Sequence, residues 1–264
     1  MIEYLLLIDM NYLEKYYNKF NEDKRLVSRH GQVEFSVALK YINNVIGKRN
    51  HLDIIDIGAG TGRYSAALAD MGHNVTAVEL VQKNVSQIKE KNPNIKVMKG
   101  NAKNLKFAEN SFDIALLFGP VYHLFSFEEK LKAISEAKRV VKPGGYVLIM
   151  YLTTDYAVLT YAFKEGNLKT CVEHGKLNDK FEVLNSEEDL YSYVRLEEIN
   201  KLKKKSGMKR YKIIGVDGAT DYIRPTLNKM SEDDFKMFIK YQETVCERKE
   251  LLGASSHILD ILKK

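Results

Sequence analysis

The sequence has little cysteine. Its 264 residues include two cysteines, Cys171 and Cys246, which lie far apart and form neither a CxxC pair nor a Cys/His spacing. A disulfide framework and a structural zinc site are therefore not indicated, and no metal is expected. Sparse, unpaired cysteine is typical of a reduced compartment, so we expect a cytoplasmic protein.

Long apolar runs are also missing. No run approaches the roughly 20 residues that a helix needs to cross a bilayer. The stretch YLLLI at 4–8 is followed at once by Asp9 and Asn11, and it has neither a basic flank nor a small-residue cleavage site. We expect no membrane association and no targeting segment, and we find no internal repeat or low-complexity linker.

The charge balance is mildly basic. Apolar residues make up 45% and charged residues 29% of the chain, which predicts a packed globular core, and the net charge is +6. The densest basic stretch is KLKKKSGMKRYK at 201–212. It could attract a phosphate-bearing partner, but no aromatic or glycine-rich RNA-binding signature accompanies it, which favours a solvated helix face and the start of a strand.

Short apolar runs alternate with helical patterns between residues 50 and 153. This rhythm is typical of repeated βαβ units, and it predicts a doubly wound α/β fold with a mostly parallel sheet. Ser126 and Glu129 form a capping box for a helix through Val141, and KPGG at 142–145 turns the chain into the fifth strand. The five predicted strands are LDIIDI (52–57), NVTAVE (74–79), IKVMK (95–99), FDIALLF (112–118) and YVLIMYL (146–152).

The rest of the chain divides around this core. We expect a helical arm over residues 1–49, the α/β core over 50–153, an inserted cap over the acceptor site at 154–205, and a C-terminal part at 206–264 that completes the sheet. In that last part YKIIGV (211–216) and HILDIL (257–262) read as strands, with a helix starting at Ser231 between them.

The first strand runs into a glycine-rich turn, DIGAGTGRY at 56–64. Glycines permit a tight turn and let backbone N–H groups approach a ligand closely at a helix N-terminus. A dinucleotide fingerprint would place its third glycine at position 63, which is Arg63. The observed spacing, with Gly58, Gly60 and Gly62, favours a ligand without a pyrophosphate.

Polar groups follow the next strands in order. Glu79 ends the second strand, where a carboxylate can accept the hydroxyl hydrogens of a ribose. GNA at 100–102 follows the third strand and could meet the edge of an adenine, and FGPVYHL at 118–124 follows the fourth. The ordered set indicates a binding site for a nucleoside-containing ligand at one edge of the sheet.

DIGAGTG, Glu79, GNA, FDIALLFGPVYHL and VKPGG together resemble the successive motifs of class I S-adenosylmethionine-dependent methyltransferases. Outside this region RLVSRHGQVEF, GPVYHL and CERKELLGASSH resemble segments of a bacterial group of small-molecule-type methyltransferases. The resemblance implies a seven-stranded, Rossmann-like sheet whose last two strands form an antiparallel hairpin. It also implies S-adenosyl-L-methionine as cofactor and S-adenosyl-L-homocysteine as product.

The resemblance assigns roles to matching positions. Asp56, Gly58, Ala59, Gly60 and Gly62 would surround the methionine part of the cofactor, and Phe118 and Gly119 would lie by its amino group. Glu79 would bind the ribose, Leu80 would pack on the adenine face, and Asn101 and Ala102 would meet the adenine edge. Asn101 departs from the aspartate that the family often has there, although an amide oxygen accepts the same hydrogen bond.

Methyl transfer from a sulfonium is an in-line displacement that needs a base only when the acceptor arrives protonated. His123 and Tyr122 are the catalytic candidates, with packing or a cofactor-side role as the alternative for each. The substrate-binding candidates are Tyr16, Tyr17, Arg29 and Arg224, and both arginines have a structural role as the alternative. Further acceptor-site candidates are Arg25, His30, Asp217, Asp221 and Tyr222.

GASSH at 253–257 lacks the final glycine of a GxSxG nucleophile elbow and leads into a strand, so it is interpreted as a turn. The expected activity is methyl transfer to a small-molecule acceptor. An RNA methyltransferase and a non-catalytic cofactor-binding protein stay open as alternatives. The acceptor and the oligomeric state are not defined by the sequence.

Overall fold

The computed structural model describes residues 27–264. Within this range one mixed sheet has the order β3-β2-β1-β4-β5-β8-β7, and a short β6 pairs with the end of β5. The strands are β1 Asp53–Ile57, β2 Asn74–Glu79, β3 Lys96–Lys99, β4 Phe112–Leu117, β5 Val141–Thr153, β6 Tyr193–Val194, β7 Lys209–Gly215 and β8 His257–Lys263. The pairs among β1 to β5 are parallel, and β8 is antiparallel to both β5 and β7. The predicted fold class, including the antiparallel last pair, is confirmed.

Helices cover both faces of the sheet. The predicted capping box is present, since Ser126 Oγ accepts a hydrogen bond from the Glu129 N–H at 3.1 Å. The α-helices are α1 Arg29–Ile46, α2 Arg63–Asp70, α3 Gln82–Lys91, α4 Phe127–Val140, α5 Thr154–Ala157, α6 Leu168–Glu173, α7 Leu196–Ser206, α8 Arg224–Leu227 and α9 Glu232–Val245. Pro120–His123 and Lys249–Ala254 form 3₁₀ turns, and Val158–Lys164 forms a π-helix.

The central strands are buried on both faces, which is why they read as continuous apolar runs. Along β5, Leu148 and Met150 belong to one hydrophobic cluster, with residues of α1 and α2. Ile149 and Tyr151 point to the opposite cluster, with residues of α4 and α7. Burial on both faces fixes the register of the strands and therefore the positions of the loops at their ends.

Three details differ from the sequence prediction. β5 begins at Val141 and includes KPGG, because Gly144 takes a φ of +79° and the ladder shifts register between Phe112 and Ile114. The two-residue β6 was not predicted. Helix α7, most of which falls in the predicted cap, packs on α4 beside the sheet, where Lys130 and Glu198 form an ion pair at 2.9 Å.

The carboxyl ends of β1, β2, β4, β5 and β7 share one edge of the sheet, and the first residue of the antiparallel β8 lies at the same edge. We call it the carboxyl edge. Ligands of open α/β sheets bind outside this edge. No helix in the described part of the chain is long and apolar enough to cross a membrane.

Candidate functional site

The glycine loop after β1 touches the turn after β4. The N–H groups of Gly58 and Ala59 donate to the Val78 carbonyl at 2.7 and 3.2 Å, which anchors the loop on β2. A Cβ at Gly58 would lie 2.5 Å from the Pro120 ring, and a Cβ at Gly119 would lie 3.1 Å from the Gly58 oxygen. The contact therefore requires a glycine at position 58, and a glycine at position 119 lets the two loops approach closely.

Gly60 and Gly62 have different surroundings. A Cβ at Gly60, where φ is +56°, would meet no atom within 4 Å, so the residue faces open space. A Cβ at Gly62 would come within 2.9 Å of Ile88 in α3. Gly60 leaves space in which a ligand could approach the loop, whereas Gly62 lets α2 start close to its neighbour.

Glu79 is held by two backbone donors. Its Oε2 accepts from the Gly60 N–H at 2.8 Å and its Oε1 accepts from the Val81 N–H at 2.9 Å. Burial raises the pKa of this carboxyl, and both backbone hydrogen bonds oppose that shift. The Asn84 side chain also donates to this carboxylate, so three of its roughly four lone-pair sites have partners within the protein, and the remaining one can accept a hydrogen bond from a ribose hydroxyl.

Asp56 lies behind the loop. It is 2% exposed, its Oδ2 accepts from Ser65 Oγ at 2.6 Å, and burial raises its pKa to about 6. The contact ties the end of β1 to α2. A direct contact between Asp56 and the cofactor stays a prediction. The geometry favours an indirect role, in which Asp56 holds the glycine loop that would contact the cofactor.

The adenine-side residues lie beside β2 and β3. Leu80 and Asn101 are half-buried and Ala102 is buried. Asn101 Oδ1 accepts from the Lys103 N–H at 2.9 Å, which closes a turn after β3. The predicted contact with an adenine amino group would use the second lone pair of this oxygen.

Thr61 is a loop residue that the sequence reasoning missed. Its hydroxyl is buried and has no hydrogen-bond partner within residues 27–264. An orphaned hydroxyl beside the open space at Gly60 fits a loop built to hold a polar ligand. In the sequence, the only feature that could have indicated Thr61 was its position between Gly60 and Gly62.

The turn at Pro120–His123 forms the other wall. The Tyr122 ring packs on Tyr191 with 5.9 Å between ring centroids, and the Tyr122 carbonyl accepts from the Ser192 N–H at 2.8 Å. His123 donates its Nδ1–H to the Leu190 carbonyl at 2.8 Å, and burial lowers its pKa to about 4. His123 is therefore neutral near pH 7 and would be a weak base.

The predicted arginines have protein partners. Arg29 donates to the carbonyls of Leu227 and Met230 at 2.7 and 2.6 Å and pairs with Glu232, so the structural alternative accounts for it. Arg224 Nε donates to Asp221 Oδ1 at 2.6 Å at the carboxyl edge. Tyr16, Tyr17 and Arg25 lie outside the described residues.

A buried polar cluster joins the loop after β7 to the start of β8. Asp217 Oδ2 accepts from the His257 N–H at 2.7 Å and from Ser256 Oγ at 2.6 Å, and it lies 2.8 Å from His257 Nδ1. Sequence reasoning placed Asp217 near the acceptor but interpreted the GASSH segment only as a turn. The sequence feature that could have indicated this cluster is the position of His257 at the start of the antiparallel last strand, which places it at the carboxyl edge.

Comparison with known proteins finds similarity to methyltransferases. Residues 55–149 match the model of a methyltransferase domain family. Over 97 residues, 36% of this chain, the sequence is 39% identical to the demethylmenaquinone methyltransferase of Paenarthrobacter aurescens (strain TC1). The aligned region covers 37% of that relative, little more than a third of its length.

Two solved structures share the fold over nearly the whole chain. One is an S-adenosylmethionine-dependent methyltransferase of Thermotoga maritima described as a possible histamine N-methyltransferase, with a TM-score of 0.61, 20% identity, and coverage of 95% of this chain and 97% of that one. The other is the 1,6-didemethyltoxoflavin-N1-methyltransferase of Burkholderia thailandensis, which holds S-adenosylhomocysteine. Its TM-score is 0.59 at 15% identity, with 99% of this chain and 89% of that one covered.

The fold is that of the class I methyltransferases. The domain match covers β1 to most of β5, which carry the glycine loop, Glu79 and the turn after β4. Together they support a methyltransferase that uses S-adenosylmethionine as its cofactor.

Proposed function

We propose that the protein transfers a methyl group from S-adenosylmethionine to a small-molecule acceptor by in-line displacement. The observation that carries this proposal is the contact between the glycine loop and the turn after β4, beside the fixed Glu79 and the open space at Gly60. The proposed division is an arm at 1–49, a cofactor core at 50–153, a cap at 154–205 and a sheet-completing part at 206–264. The GPVYHL motif would place it in the bacterial small-molecule-type group.

Different residues would contact different parts of the cofactor. Glu79 would bind the ribose, and Leu80, Asn101 and Ala102 would hold the adenine. The backbone of Gly58, Ala59, Gly60 and Gly119 would surround the methionine part, with Phe118 packed behind it against Tyr64. The bound sulfonium supplies an electrophilic methyl group and a neutral leaving group, so the protein's task is to align the acceptor and exclude water.

The acceptor would bind on the other side of Gly119. Aromatic rings of Tyr122, Tyr191 and Tyr222 lie around this part of the carboxyl edge, and two similar proteins are named for small-molecule acceptors, demethylmenaquinone and 1,6-didemethyltoxoflavin. These relatives act on different compounds, so the names support the class of acceptor and not its identity.

An RNA acceptor is less well supported. The basic run at 201–212 covers the end of α7 and the start of β7. β7 starts at the edge opposite the carboxyl edge, because it runs in the same direction as β5. The run is therefore remote from the proposed site of transfer.

Calorimetric titration with S-adenosylmethionine and S-adenosylhomocysteine tests the cofactor. We expect both to bind wild type, and Gly60→Val to weaken binding about tenfold or more because the side chain fills the ligand's space. Glu79→Ala should also weaken binding. Gly72→Val is the matched control, since Gly72 has a φ of +84° and open surroundings but lies at the end of α2.

Absence of binding for both ligands at millimolar concentration would refute the proposal. Cofactor binding with no methyl transfer to a broad panel of metabolites would favour the non-catalytic alternative. Equal losses in Gly60→Val and Gly72→Val would remove Gly60 from the site and attribute the effect to backbone strain.

A further inference from the structure

We propose that the protein forms a two-fold dimer through the outer face of its cap, with a second copy of this chain as the partner. The face belongs to residues 158–184, which comprise the π-helix Val158–Lys164, helix α6 and a loop closed by the bridge between Leu177 and Val183. The proposal concerns assembly, so it goes beyond the proposed function and does not depend on it.

Exposed apolar side chains are concentrated in this segment. Eleven large apolar side chains are exposed in the described part of the chain, and six of them fall between residues 159 and 184. The other five are distributed over the residue before α1, the end of α2, β7 and α9. Each of the six is 46–57% exposed, and we call them the cap patch: Leu159, Tyr161, Phe163, Val172, Phe181 and Leu184.

The centre of the cap patch is continuous. Leu159 and Phe163 lie four residues apart in the π-helix, about one turn, so they share a face. The Phe163 ring is 6.0 Å from the Phe181 ring, measured between centroids, which joins the π-helix to the loop before β6. A single partner can therefore cover these side chains together.

The core beneath the cap patch is small. Val158, Ala162, Cys171 and Leu177 form a hydrophobic cluster separate from the two clusters that cover the sheet. Residues 158–184 thus expose more large apolar side chains than this cluster buries. Monomeric proteins rarely leave apolar patches larger than a few hundred Å² exposed, and larger ones mark interaction surfaces. The segment therefore has the character of an interface.

The size of the cap patch suits a dimer. Six large side chains, each about half exposed, present on the order of 600 Å² of surface. A stable interface buries about 800 Å² on each partner, and in homodimers about 65% of it is apolar. The cap patch can supply this apolar share, and the polar residues around it can supply the rim.

The charges around the cap patch favour a second copy over other partners. Residues 158–184 carry four lysines and four carboxylates, among them the exposed Lys169 and Glu173. In a two-fold interface the same surface meets itself, so both signs must be present for opposite charges to face each other. A nucleic acid or an anionic lipid surface would instead require an excess of basic residues.

The cap patch is connected to the acceptor side of the site. Arg195 Nη2, at the start of α7, donates to the Phe181 carbonyl at 3.0 Å. Tyr156, which precedes the π-helix, packs on Tyr222 with 6.0 Å between ring centroids. Covering the patch therefore stabilises the cap and its contacts with the carboxyl edge, and the Tm should rise with protein concentration.

Sedimentation velocity of the full chain tests the dimer. We expect wild type to associate at micromolar concentration, and Phe163→Glu/Phe181→Glu to raise the dissociation constant about 100-fold or more, because charges enter the apolar part of the interface. Met237→Glu/Tyr241→Glu is the matched control, since these apolar side chains on α9 are 63% and 55% exposed outside the cap patch. It should keep the dissociation constant of wild type.

Hydrogen exchange locates the surface. Amides of residues 158–184 should gain protection as the concentration of wild type rises, and they should show no such gain in Phe163→Glu/Phe181→Glu. A dimer that persists in this variant, or that weakens equally in the α9 control, would place the interface elsewhere and overturn the proposal.

A wild type that stays monomeric also overturns the proposal, and two measurements then identify what covers the patch. Binding of wild type but not of Phe163→Glu/Phe181→Glu to phosphatidylcholine vesicles would assign the patch to a lipid surface. Protection of residues 158–184 that is independent of concentration, and that the variant loses, would assign it to residues 1–26 of the same chain. Titration with S-adenosylhomocysteine reports separately on the proposed function, because none of the substituted residues belongs to the glycine loop or to the turn after β4.

Discussion

At the scale of single residues, the two histidines of the carboxyl edge differ in the group that holds them. His123 donates to a neutral carbonyl, whereas His257 faces a carboxylate. A carbonyl does not stabilise an imidazolium as a carboxylate does, and burial therefore lowers the pKa of His123 to about 4 from 6.5. His123 is better suited to fixing the turn after β4 than to taking a proton.

This difference predicts a pH dependence of stability. Between pH 6.5 and about 4 the unfolded chain binds a proton at position 123 that the folded chain does not. The free energy of unfolding should therefore fall as the pH drops through this range, by up to about 1.4 kcal/mol per pH unit from this group. His123→Asn lacks the titration, so urea unfolding at several pH values should show its stability falling less steeply than that of wild type.

Comparing wild type with His123→Asn separates the contribution of His123 to the pH dependence of stability from the contributions of other titratable groups. The raised pKa of Asp56 acts in the opposite direction, since it adds stability as the pH falls, but it is present in both proteins. Parallel stability curves for wild type and His123→Asn would contradict the prediction.

At the scale of elements, the site depends on the contact between the β1 loop and the β4 turn. Gly58→Ala would place a methyl group 2.5 Å from the Pro120 ring, at a residue whose φ is +73°. The loops must then separate, so we expect affinity for S-adenosylhomocysteine to fall about tenfold or more. Calorimetry and thermal unfolding of the same samples would measure affinity and stability together.

Two variants separate steric clash from backbone strain. Gly72→Ala has a similar positive φ without neighbours, so it should lose about 1 kcal/mol of stability and no affinity. Adding Pro120→Ala to Gly58→Ala removes the ring atoms that clash, and it should restore part of the affinity. No recovery in the double variant would show that the contact does not position the loop.

The sequence predicted the features that depend on local patterns. The order of β1 to β5, the capping box at Ser126 and the position of the glycine loop follow from periodicity and turn residues. The environment of His123 could not be predicted, because it is set by the Leu190 carbonyl 67 residues away. The pairing of Asp217 with His257 spans 40 residues and depends on the antiparallel register of β8 with β7.

At the scale of the whole molecule, the basic run and the proposed site lie at opposite edges of the sheet. The exposed Lys201, Lys204 and Lys205 belong to α7, and β7 starts three residues after that helix ends. The opposite edge also carries Lys263, which pairs with Lys209 across β8 and β7. Affinity for polyanions should therefore be independent of cofactor binding.

The variant Lys201→Gln/Lys204→Gln/Lys205→Gln tests this separation. We expect it to elute from heparin at lower salt than wild type, because three cations that face solvent are removed. Affinity for S-adenosylhomocysteine and methyl transfer to small acceptors should not change, since these lysines lie at the edge of the sheet opposite the glycine loop and Glu79. Methylation of copurifying RNA by wild type that disappears in the triple variant would instead make the basic run part of substrate recognition and favour an RNA acceptor.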